Sequence, residues 1–487
     1  MQTAGLRARI GIAAALCCLF VLAMLFGRWC YATCDDTFIF LVYARNLVEG
    51  NGLTFNGTRV EGFTSVSWMI LLSLAGLAGA SLLSAAELLS TASGLVAIIA
   101  TYWLGRRFGL DRVRSIIPAA LLSATGDFAF YLSVGLEQCL FVGLVAWGGA
   151  EALRPRALET LTSLRFPMLM AAMILTRPEG ALLAALLLCF LAYRSQSLVA
   201  AIRCGLVLTA MLAPFMVARR LYYGYWLPNT YSAKSGAGLA NLPRGLRYLD
   251  HAWPRYALVL GCMILAILWK TLQHRRREIV RTVPFLVLTL VWCAYVAVRG
   301  GDNMVGARAL LPLLPLLYVL TARLARHLPT PLLCFATILV CVASVVAYRM
   351  DDRLQRHADS WRTSTKVRTR VAGFLRDNFP ADTLIALSPC GIVPYITGFP
   401  TIDTLGLNDV HIARHGRADR KLPYGHQVGD GYYVLSREPD VILFYSGDSL
   451  KPGPYVSDQE IWNSPEFRAN YLGQRWPGVG FGYVLKP

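Results

Sequence analysis

The feature that most constrains this chain of 487 residues is the recurrence of apolar runs that approach the thickness of a membrane. A helix that crosses a bilayer needs about 20 mostly apolar residues. The apolar runs cover residues 7–28, 64–82, 86–104, 115–132, 138–153, 164–176, 180–194, 202–218, 254–271, 283–298, 306–322 and 330–348. Several are short for a full crossing, so the sequence predicts a polytopic α-helical membrane protein with about 10–12 transmembrane helices.

The composition supports this class of protein. Charged residues make up 16% of the chain, whereas soluble domains carry about 25%, which excludes a soluble enzyme, a disordered chain and a secreted disulfide scaffold. The formal net charge is +18 at pH 7, and the cytoplasmic loops of membrane proteins collect Lys and Arg. Because the polar part of the chain has no basic patch with interleaved aromatic residues, we expect no nucleic-acid partner.

Basic residues predict the orientation of the chain. Arg7 and Arg9 precede the first apolar run and place the N-terminus in the cytoplasm, so that residues from about 31 onward lie outside. Further basic clusters, expected in the cytoplasm, are Arg106–Arg107, Arg154–Arg156, His274–Arg277 and Arg323–His327. The run 64–82 conflicts with this order, so either one segment within 64–104 does not cross or an arginine pair breaks the rule.

A polar region follows the last apolar run. Residues 350–487 contain Pro and Gly throughout and no run long enough to span a membrane. A helix-like stretch at 361–377 alternates with strand-like runs, which are Thr383–Leu387, Val441–Tyr445 and Gly480–Leu485. The sequence therefore predicts a transmembrane domain at 1–349 and a soluble mixed α/β domain at 350–487, the latter on the outer side of the membrane.

The loop 34–64, expected to be the first extracytoplasmic loop, contains two adjacent carboxylates, Asp35 and Asp36. They stand at the start of a predicted helix that ends near Gly50, and its apolar spacing suggests a helix lying in the membrane surface. A single helix N-cap would explain Asp36 alone. Neighbours on a helix point about 100° apart, so the pair can serve two partners. One carboxylate could deprotonate an acceptor hydroxyl while the other orients it or holds a cation.

Polar side chains also stand between later apolar runs, where ionisable groups are costly and often functional. They are Glu137 in SVGLEQ, Arg177 and Glu179 in LTRPEG, Asn229, Tyr231 and Lys234 in WLPNTYSAK, and Arg299, Asp302 and Arg308 in VRGGDNMVGAR. An Arg177–Glu179 ion pair that fixes two short helices is an equally weighted alternative. Lys234, Arg299 and Arg308 are candidates for binding a phosphate close to the bilayer. Since all these loops are assigned outside, we expect one composite pocket.

These motifs resemble a known family. The stretch DDTFIFLVYARNLVEGNGLTFN, followed by VEGFTSVSW, resembles the first outer loop of the GT-C membrane glycosyltransferases. Among these it most resembles the polyprenyl-phosphate-arabinofuranose-dependent arabinosyltransferases of actinobacterial cell walls and of pilin modification. LTRPEG, YYGYWLPNTYSAK, GGDNM and SPCGIVPYITGFPTIDTLGLNDVHIAR are similar to recurrent segments of this family, so the resemblance covers most of the chain. Phe40, Leu41 and Val42 depart from it, because the family usually has an Arg there, which leaves the sugar and the acceptor open.

The resemblance implies an extracytoplasmic glycosyltransferase of the bacterial cytoplasmic (inner) membrane. It would move D-arabinofuranose from a polyprenyl-phosphate donor, whose tail lies among membrane lipids, to a cell-surface glycan, lipopolysaccharide, small lipid or pilin. Asp35 or Asp36 would be the base. Residues assigned to the donor phosphate or sugar are Arg45, Glu137, Arg177, Glu179, Asn229, Tyr231, Lys234, Arg299, Asp302 and Arg308. Residues assigned to the acceptor side are Glu61, Asp403, Asn408 and His426.

The sequence predicts that no cofactor is required. No Rossmann fingerprint or P-loop is present, which agrees with a donor that is not a nucleotide. A divalent cation held by Asp35, Asp36 and Glu137 stays open as an alternative. The histidines and carboxylates of the tail match no zinc-site spacing.

Other functions also stay open. A polyprenyl-phosphate-mannose-type mannosyltransferase would use the same layout with another sugar. A lipid-sugar flippase or transporter would also contain intramembrane charges, but such proteins often show internal repeats, and none is visible here. A catalytically silent scaffold is disfavoured by the intact Asp35–Asp36 pair.

Overall fold

Helices dominate the computed structural model of the chain, which describes residues 2–29, 31–234, 238–257, 260–261, 263–264, 276–419, 421–423 and 425–487. The predicted span 254–271 and the basic cluster 274–277 lie largely outside these residues. The α-helices are Gln2–Arg28, Asp35–Val48, Val66–Leu77, Leu82–Arg107, Ile116–Ser123, Gly126–Tyr131, Gln138–Ala152, Ala157–Thr162, Arg165–Thr176, Gly180–Ser195, Leu198–Tyr223, Asn229–Lys234, Leu242–Ala252, Arg276–Arg299, Leu314–Leu324, Thr330–Arg349, Asp352–Asn378, Ile392–Thr397, Val410–His415, Gly431–Ser436, Val456–Asn463 and Pro465–Asn470. The 3₁₀ helices are Gly238–Asn241, Trp253–Tyr256, Arg308–Leu313 and Phe444–Gly447.

Five of the described helices contain stretches long and apolar enough to cross a membrane, namely Leu6–Arg28, Leu82–Arg107, Leu198–Tyr223, Thr282–Arg299 and Thr330–Arg349. Shorter apolar helices of 10–17 residues are Val66–Leu77, Arg165–Thr176 and Gly180–Ser195. Large apolar side chains on the long helices, such as Leu206 and Ile338, are exposed, as on a helix that faces lipid. The chain is a multi-pass membrane protein, and the figure of about 10–12 crossings stays a prediction.

The apolar run 115–132 does not form one continuous helix. It divides into Ile116–Ser123 and Gly126–Tyr131, with Thr125 in an extended conformation between them. The Ser123 and Thr125 hydroxyls donate to backbone carbonyls one turn earlier, at 2.9 and 2.8 Å. A break made by one extended residue leaves the apolar character of the run unchanged, so hydropathy does not reveal it.

The described chain divides into two compact units. The first consists of Met1–Tyr31, Glu87–Pro214 and Leu239–Arg356, and its described residues form helices without strands. The second consists of Ala32–Ala86, Phe215–Gly238 and His357–Pro487. The loop with the two adjacent carboxylates therefore belongs to the same unit as the C-terminal region. The boundary predicted near residue 350 delimits only the last segment of that unit.

The second unit contains a five-stranded sheet. Its described strands are β1 (Ile385–Leu387), β2 (Thr401–Asp403), β3 (Arg417–Ala418), β4 (Val428–Gly429), β5 (Val441–Leu443), β6 (Tyr471–Trp476) and β7 (Gly480–Leu485). The order is β2-β1-β5-β7-β6, and β3 pairs separately with β4. β1 pairs in parallel with β2 and β5, and β7 is antiparallel to β5 and β6. The predicted strand-like runs are confirmed as β1, β5 and β7, whereas β2 and β6 were not predicted.

The parallel pairing of β2, β1 and β5 determines where the loops lie. The register pairs Ile385 with both Thr401 and Val441, so the carboxyl ends of the three strands meet at one edge. Ile402, Ile442 and Phe444 belong to the hydrophobic core beneath the sheet, which fixes the strands against the surrounding helices. In parallel sheets this edge is the usual location of ligand sites.

Candidate active site

The helix Asp35–Val48 carries the adjacent carboxylates in its first turn, where negative charge is favourable. It ends at Val48, and Gly50, which follows the C-cap residue Glu49, has a φ of +83° that suits glycine. The prediction of a helix is confirmed, but the prediction that it lies in the membrane surface is wrong. Every residue from Thr37 to Ala44 is buried, so protein covers all faces of the helix.

Asp35 is held in place by other residues of the second unit. Its carboxylate accepts hydrogen bonds from the backbone N–H groups of Gly391 and Ile392, at 2.7 and 3.3 Å, and lies 3.3 Å from the Arg368 guanidinium. Burial raises the pKa of Asp35, Arg368 acts in the opposite direction, and Asp36 adds to the rise. Neither carboxylate caps its own helix, because the N-cap residue is Cys34 and no side chain bonds there.

Asp36 is half-buried and differs from its neighbour. Among the residues that the structure describes, no hydrogen bond or ion pair engages its carboxylate. Its charge acts on His426, which also feels the charge of Lys234. Burial lowers the pKa of His426, with Lys234 acting in the same direction and Asp36 against it. The carboxylate of Asp36 therefore lies within electrostatic range of His426 and, among the described residues, is not engaged by another group.

Aromatic rings stand beside His426 at the carboxyl edge of the sheet. The His426 ring lies 5.5 Å from that of Tyr455, which lies 6.3 Å from that of Tyr445. Tyr445 and Ser446 directly follow β5 and have φ values of 51° and 54°. Left-handed conformations of residues other than glycine are strained and occur often at functional sites. The Ser446 hydroxyl donates to the Pro389 carbonyl and holds this turn in place.

Asp403 and Asn408, predicted to contact the acceptor, lie in a buried hydrogen-bond network. They are 1% and 2% exposed. Asn408 donates to Asp403 from its backbone and its side chain, at 2.8 and 3.1 Å, and accepts from the Tyr43 hydroxyl at 2.9 Å. Burial raises the pKa of Asp403, and hydrogen bonds from Cys390 and Asn408 oppose the rise. Because both side chains are enclosed and engaged, the geometry favours a structural role for them.

Gly62 packs directly against this hydrogen-bond network, so a larger residue there should destabilise the protein. A Cβ atom at position 62 would lie 1.8 Å from Asn408 Oδ1 and 2.9 Å from the Tyr43 hydroxyl. We expect Gly62→Ala to lower the free energy of unfolding by about 1–3 kcal/mol, because the network must move to admit the methyl group. Gly373→Ala is the control, since a Cβ there meets nothing within 4 Å and Gly373 lies inside a helix. Unfolding of the purified protein in detergent provides the measurement, and equal stability of the two variants would contradict the prediction.

Glu61, also predicted on the acceptor side, forms a buried ion pair with Arg219. Its two carboxylate oxygens lie 2.8 and 2.9 Å from the guanidinium. Burial raises the pKa of Glu61, and Arg219 opposes the rise. Asn229 reinforces the arrangement, because its backbone N–H donates to the Glu61 carbonyl and its amide donates to the carbonyl of Gly406. These contacts favour a structural role for Glu61 and Asn229, whereas Tyr231 is exposed, and the predicted contacts of all three with substrate stay predictions.

Arg45, assigned to the donor, lies at the other end of its helix from the carboxylates. Its guanidinium donates to the Tyr395 carbonyl and, at 2.9 Å, to Asn56 Oδ1. It lines an open polar pocket of about 540 Å³ together with Asn46, Glu49 and other polar residues. No described contact connects Arg45 with Asp35 or Asp36.

The first unit contains a balanced network of three arginines and three carboxylates. Arg177 lies 2.6 Å from Glu137 and 2.8 Å from Glu179, and Arg299 lies 3.2 Å from Glu179. A separate pair joins Arg308 and Asp302 through two contacts, of 2.7 and 2.8 Å.

The electrostatics of this network bear on the predicted phosphate site. Burial by itself would raise the pKa values of Glu179 and Asp302, but the neighbouring guanidinium groups outweigh it and lower both. Arg299 and Arg308 therefore already face carboxylates, and a phosphate would have to compete with them. The ion-pair interpretation of Arg177 and Glu179 is confirmed. Lys234 belongs to the second unit, and a composite pocket stays a prediction.

The described residues do not form a preassembled binding site for a metal cation. Within the ranges that the structure describes, no group of three or more His, Cys, Asp or Glu side chains is arranged to hold a metal ion. Asp35 already faces Arg368, and Glu137 is paired with Arg177. Of the tail histidines, His411 pairs with Asp430 at 3.0 Å and stacks on Tyr433. A requirement for a divalent cation stays a prediction.

Several engaged residues escaped the sequence analysis. Arg368 lies in a helix with many charges, and nothing in its local pattern distinguishes it. Asp127 is buried in the first unit and accepts hydrogen bonds from Arg255 and Tyr256, both at 2.8 Å. Its position as a carboxylate inside an apolar run was a signal that could have identified it.

The overall fold of the chain indicates its structural class. The chain has the GT-C fold: a solved structure of ArnT from Cupriavidus metallidurans bound to undecaprenyl phosphate matches 80% of this chain and 85% of its own, with a TM-score of 0.56 and 12% identity. The Archaeoglobus fulgidus oligosaccharyltransferase in complex with Zn and sulfate matches 96% of this chain and 73% of its own, with a TM-score of 0.52 and 12% identity.

The proteins that resemble this chain in sequence belong to a narrower class. The terminal β-(1→2)-arabinofuranosyltransferase of Corynebacterium glutamicum is 30% identical over 58% of this chain and 46% of its own length. The protein of the same name from Mycobacterium tuberculosis is 30% identical over 61% of this chain and 53% of its own. The chain thus spans about half the length of these curated relatives. Residues 356–481 match a family model described as a domain of unknown function (DUF8728).

Proposed function

We propose that this chain is a glycosyltransferase that moves D-arabinofuranose from a polyprenyl-phosphate donor to a hydroxyl of a cell-surface acceptor. The observation that carries the proposal is the Asp35–Asp36 pair, in which Asp35 is held by Arg368 and backbone N–H groups while Asp36 has no partner among the described residues. The arabinofuranosyltransferase relatives support the sugar, and the fold shared with an undecaprenyl-phosphate-bound protein supports the donor.

In the proposed step, the Asp36 carboxylate takes the proton from the acceptor hydroxyl. The acceptor oxygen then bonds to the anomeric carbon of the sugar, and the bond from that carbon to the phosphate oxygen breaks. Polyprenyl phosphate leaves with the electron pair, and its charge needs a cation nearby. Lys234, which lies within electrostatic range of His426, is the candidate in the second unit. Asp35 positions its neighbour through the contacts with Arg368 and Gly391.

We further propose that the reaction takes place on the outer side of the bacterial cytoplasmic membrane. The basic residues before the first span and the polar loop after it support this orientation. The acceptor class is a surface glycan, a lipopolysaccharide or a pilin. Cysteine accessibility labelling at the exposed Thr58 of the same loop in intact cells tests the orientation, and labelling only from the cytoplasmic side would contradict it.

A reconstituted assay tests the activity. Purified full-length protein in lipid nanodiscs receives polyprenyl-phosphoarabinofuranose with or without an arabinofuranose oligosaccharide as acceptor. We expect polyprenyl phosphate to be released only when the acceptor is present. Turnover with polyprenyl-phosphomannose alone would assign the chain to mannosyl transfer. Movement of the intact donor across liposomes without consumption of acceptor would indicate a flippase and contradict the proposal.

A further inference from the structure

A second polar site lies at the far end of the helix that carries the carboxylates. It is the open pocket of about 540 Å³ near Arg45, and all of its lining residues belong to the second unit. Asn51 and Arg59 are exposed at its rim, and Asn56 lines its wall. A volume of this size accommodates a small organic ligand, since ligand pockets typically measure about 300–1,000 Å³.

The lining chemistry matches a neutral, polyhydroxylated ligand. The exposed amide of Asn51 and the carboxylate of Glu49 supply both donors and acceptors, whereas the amides of Asn46 and Asn56 already donate to backbone carbonyls. The positive charge of Arg45 is already directed at the Tyr395 carbonyl and Asn56, and Glu49 places a negative charge in the same wall. A phosphate would meet that carboxylate, whereas a sugar hydroxyl can donate to it. The exposed guanidinium of Arg59 can donate to a sugar hydroxyl, so the rim and wall together supply the mixed donors and acceptors that a carbohydrate uses.

The backbone holds this wall rigidly. Asn56 has a φ of 43°, and its amide donates to the carbonyls of Pro394 and Phe399 at 3.1 and 2.9 Å. The Arg59 guanidinium lies 5.4 Å from the centre of the Tyr222 ring. Asparagine adopts this left-handed conformation readily, and the two long-range hydrogen bonds keep its side chain in place.

One helix connects the pocket with the proposed base. Asp36 lies in its first turn, and Asn46 lies ten positions later. At 1.5 Å per residue the two positions are about 15 Å apart along the helix axis. The segment from Gly391 to Phe399 accompanies the helix over this length, because it contacts Asp35 at one end and Asn56 at the other. This axial separation is within the length of an oligosaccharide several residues long.

We propose that this pocket binds a neutral sugar residue of the acceptor glycan, remote from the hydroxyl that is glycosylated. The inference rests on the proposed function and adds to it a preference for long acceptors. Binding energy from a remote part of a substrate can be used to position its reacting end. A short acceptor does not reach the pocket and therefore does not make these contacts.

The test compares two acceptors in the full-length protein: an arabinofuranose oligosaccharide several residues long and the methyl glycoside of a single arabinofuranose. We expect the Arg59→Ala and Asn51→Ala variants to lower kcat/KM for the long acceptor about tenfold relative to the short one, because each removes a polar contact. Arg437→Ala is the matched control, since Arg437 is also exposed and also lies over a tyrosine ring, that of Tyr433. Equal loss with both acceptors, or none, would overturn the proposal.

Direct binding separates this inference from the proposed activity. Without donor, titration calorimetry is expected to show that the oligosaccharide binds the wild-type protein and the Arg437→Ala variant more tightly than the Arg59→Ala variant. If that holds while no acceptor supports transfer, the pocket stands and the proposed function fails. If transfer occurs but neither Arg59→Ala nor Asn51→Ala changes the binding of the oligosaccharide, the proposed function stands and the pocket assignment fails. Binding of inorganic phosphate in place of the oligosaccharide would also overturn the assignment.

Discussion

Replacement of Asp36 by asparagine is expected to lower kcat for sugar transfer by about 10²–10⁴-fold, the usual contribution of a general base. The carboxylate has no hydrogen-bond or ion-pair partner among the described residues, so its loss breaks no described contact and the protein should unfold at the same temperature as the wild type. The measurement is turnover in nanodiscs, together with thermal unfolding in detergent.

Asp35→Asn and Asp377→Asn complete this experiment. Asp35 faces Arg368 and two backbone N–H groups, so its replacement should lower the unfolding temperature as well as the turnover. Asp377 is exposed at the end of a helix and should tolerate the change with no effect on either measurement. If Asp36→Asn retains full turnover, the assignment of the base is wrong, whatever Asp35→Asn does.

Replacement of Arg177 by methionine is expected to cost about 3–5 kcal/mol in the free energy of unfolding, measured in mixed detergent micelles. Its side chain is 10% exposed and lies between the carboxylates of Glu137 and Glu179. Loss of the guanidinium leaves two buried charges without their main partner, and an uncompensated buried charge is more costly than the pair was stabilising.

Two comparisons show whether the cost arises from buried charge. Arg156 pairs with Glu159 in the same unit, but its side chain is 84% exposed, so Arg156→Met should cost well under 1 kcal/mol. Adding Glu137→Gln and Glu179→Gln to Arg177→Met should restore part of the lost stability, because the unpaired charges are then absent. A triple variant less stable than Arg177→Met alone would refute this explanation.

The contrast between these arginines also bears on the phosphate site, which stays a prediction. Arg299 and Arg308 stand between apolar runs, where a lone cation would be costly and therefore functional. In the folded unit each has a carboxylate within 3.2 Å, so the network as a whole carries no excess charge. Periodicity and motif spacing identify charged residues at membrane depth, but they do not reveal which of them neutralise one another.

The acceptor-side residues illustrate the same limit. Asp403 and Asn408 occur in a polar stretch that looks exposed in the sequence, yet β2 and the loop after it turn them into the buried interior. Glu61 was predicted from its motif, but its partner Arg219 lies 158 positions away. Local composition indicates that a residue is polar and leaves open whether its polar atoms face a substrate or another side chain.

The sequence by itself determined the membrane class, the helix that starts at Asp35, the mixed α/β character of the tail and the motif with two adjacent carboxylates. These features depend on hydropathy and on residues close together in the chain, which act locally. Only the tertiary structure decided that Asp35 is engaged while Asp36 has no partner among the described residues, because the contact that distinguishes them joins Asp35 to Arg368 across 333 positions. Such a contact exists only after folding has brought the two segments together, and no local pattern encodes it.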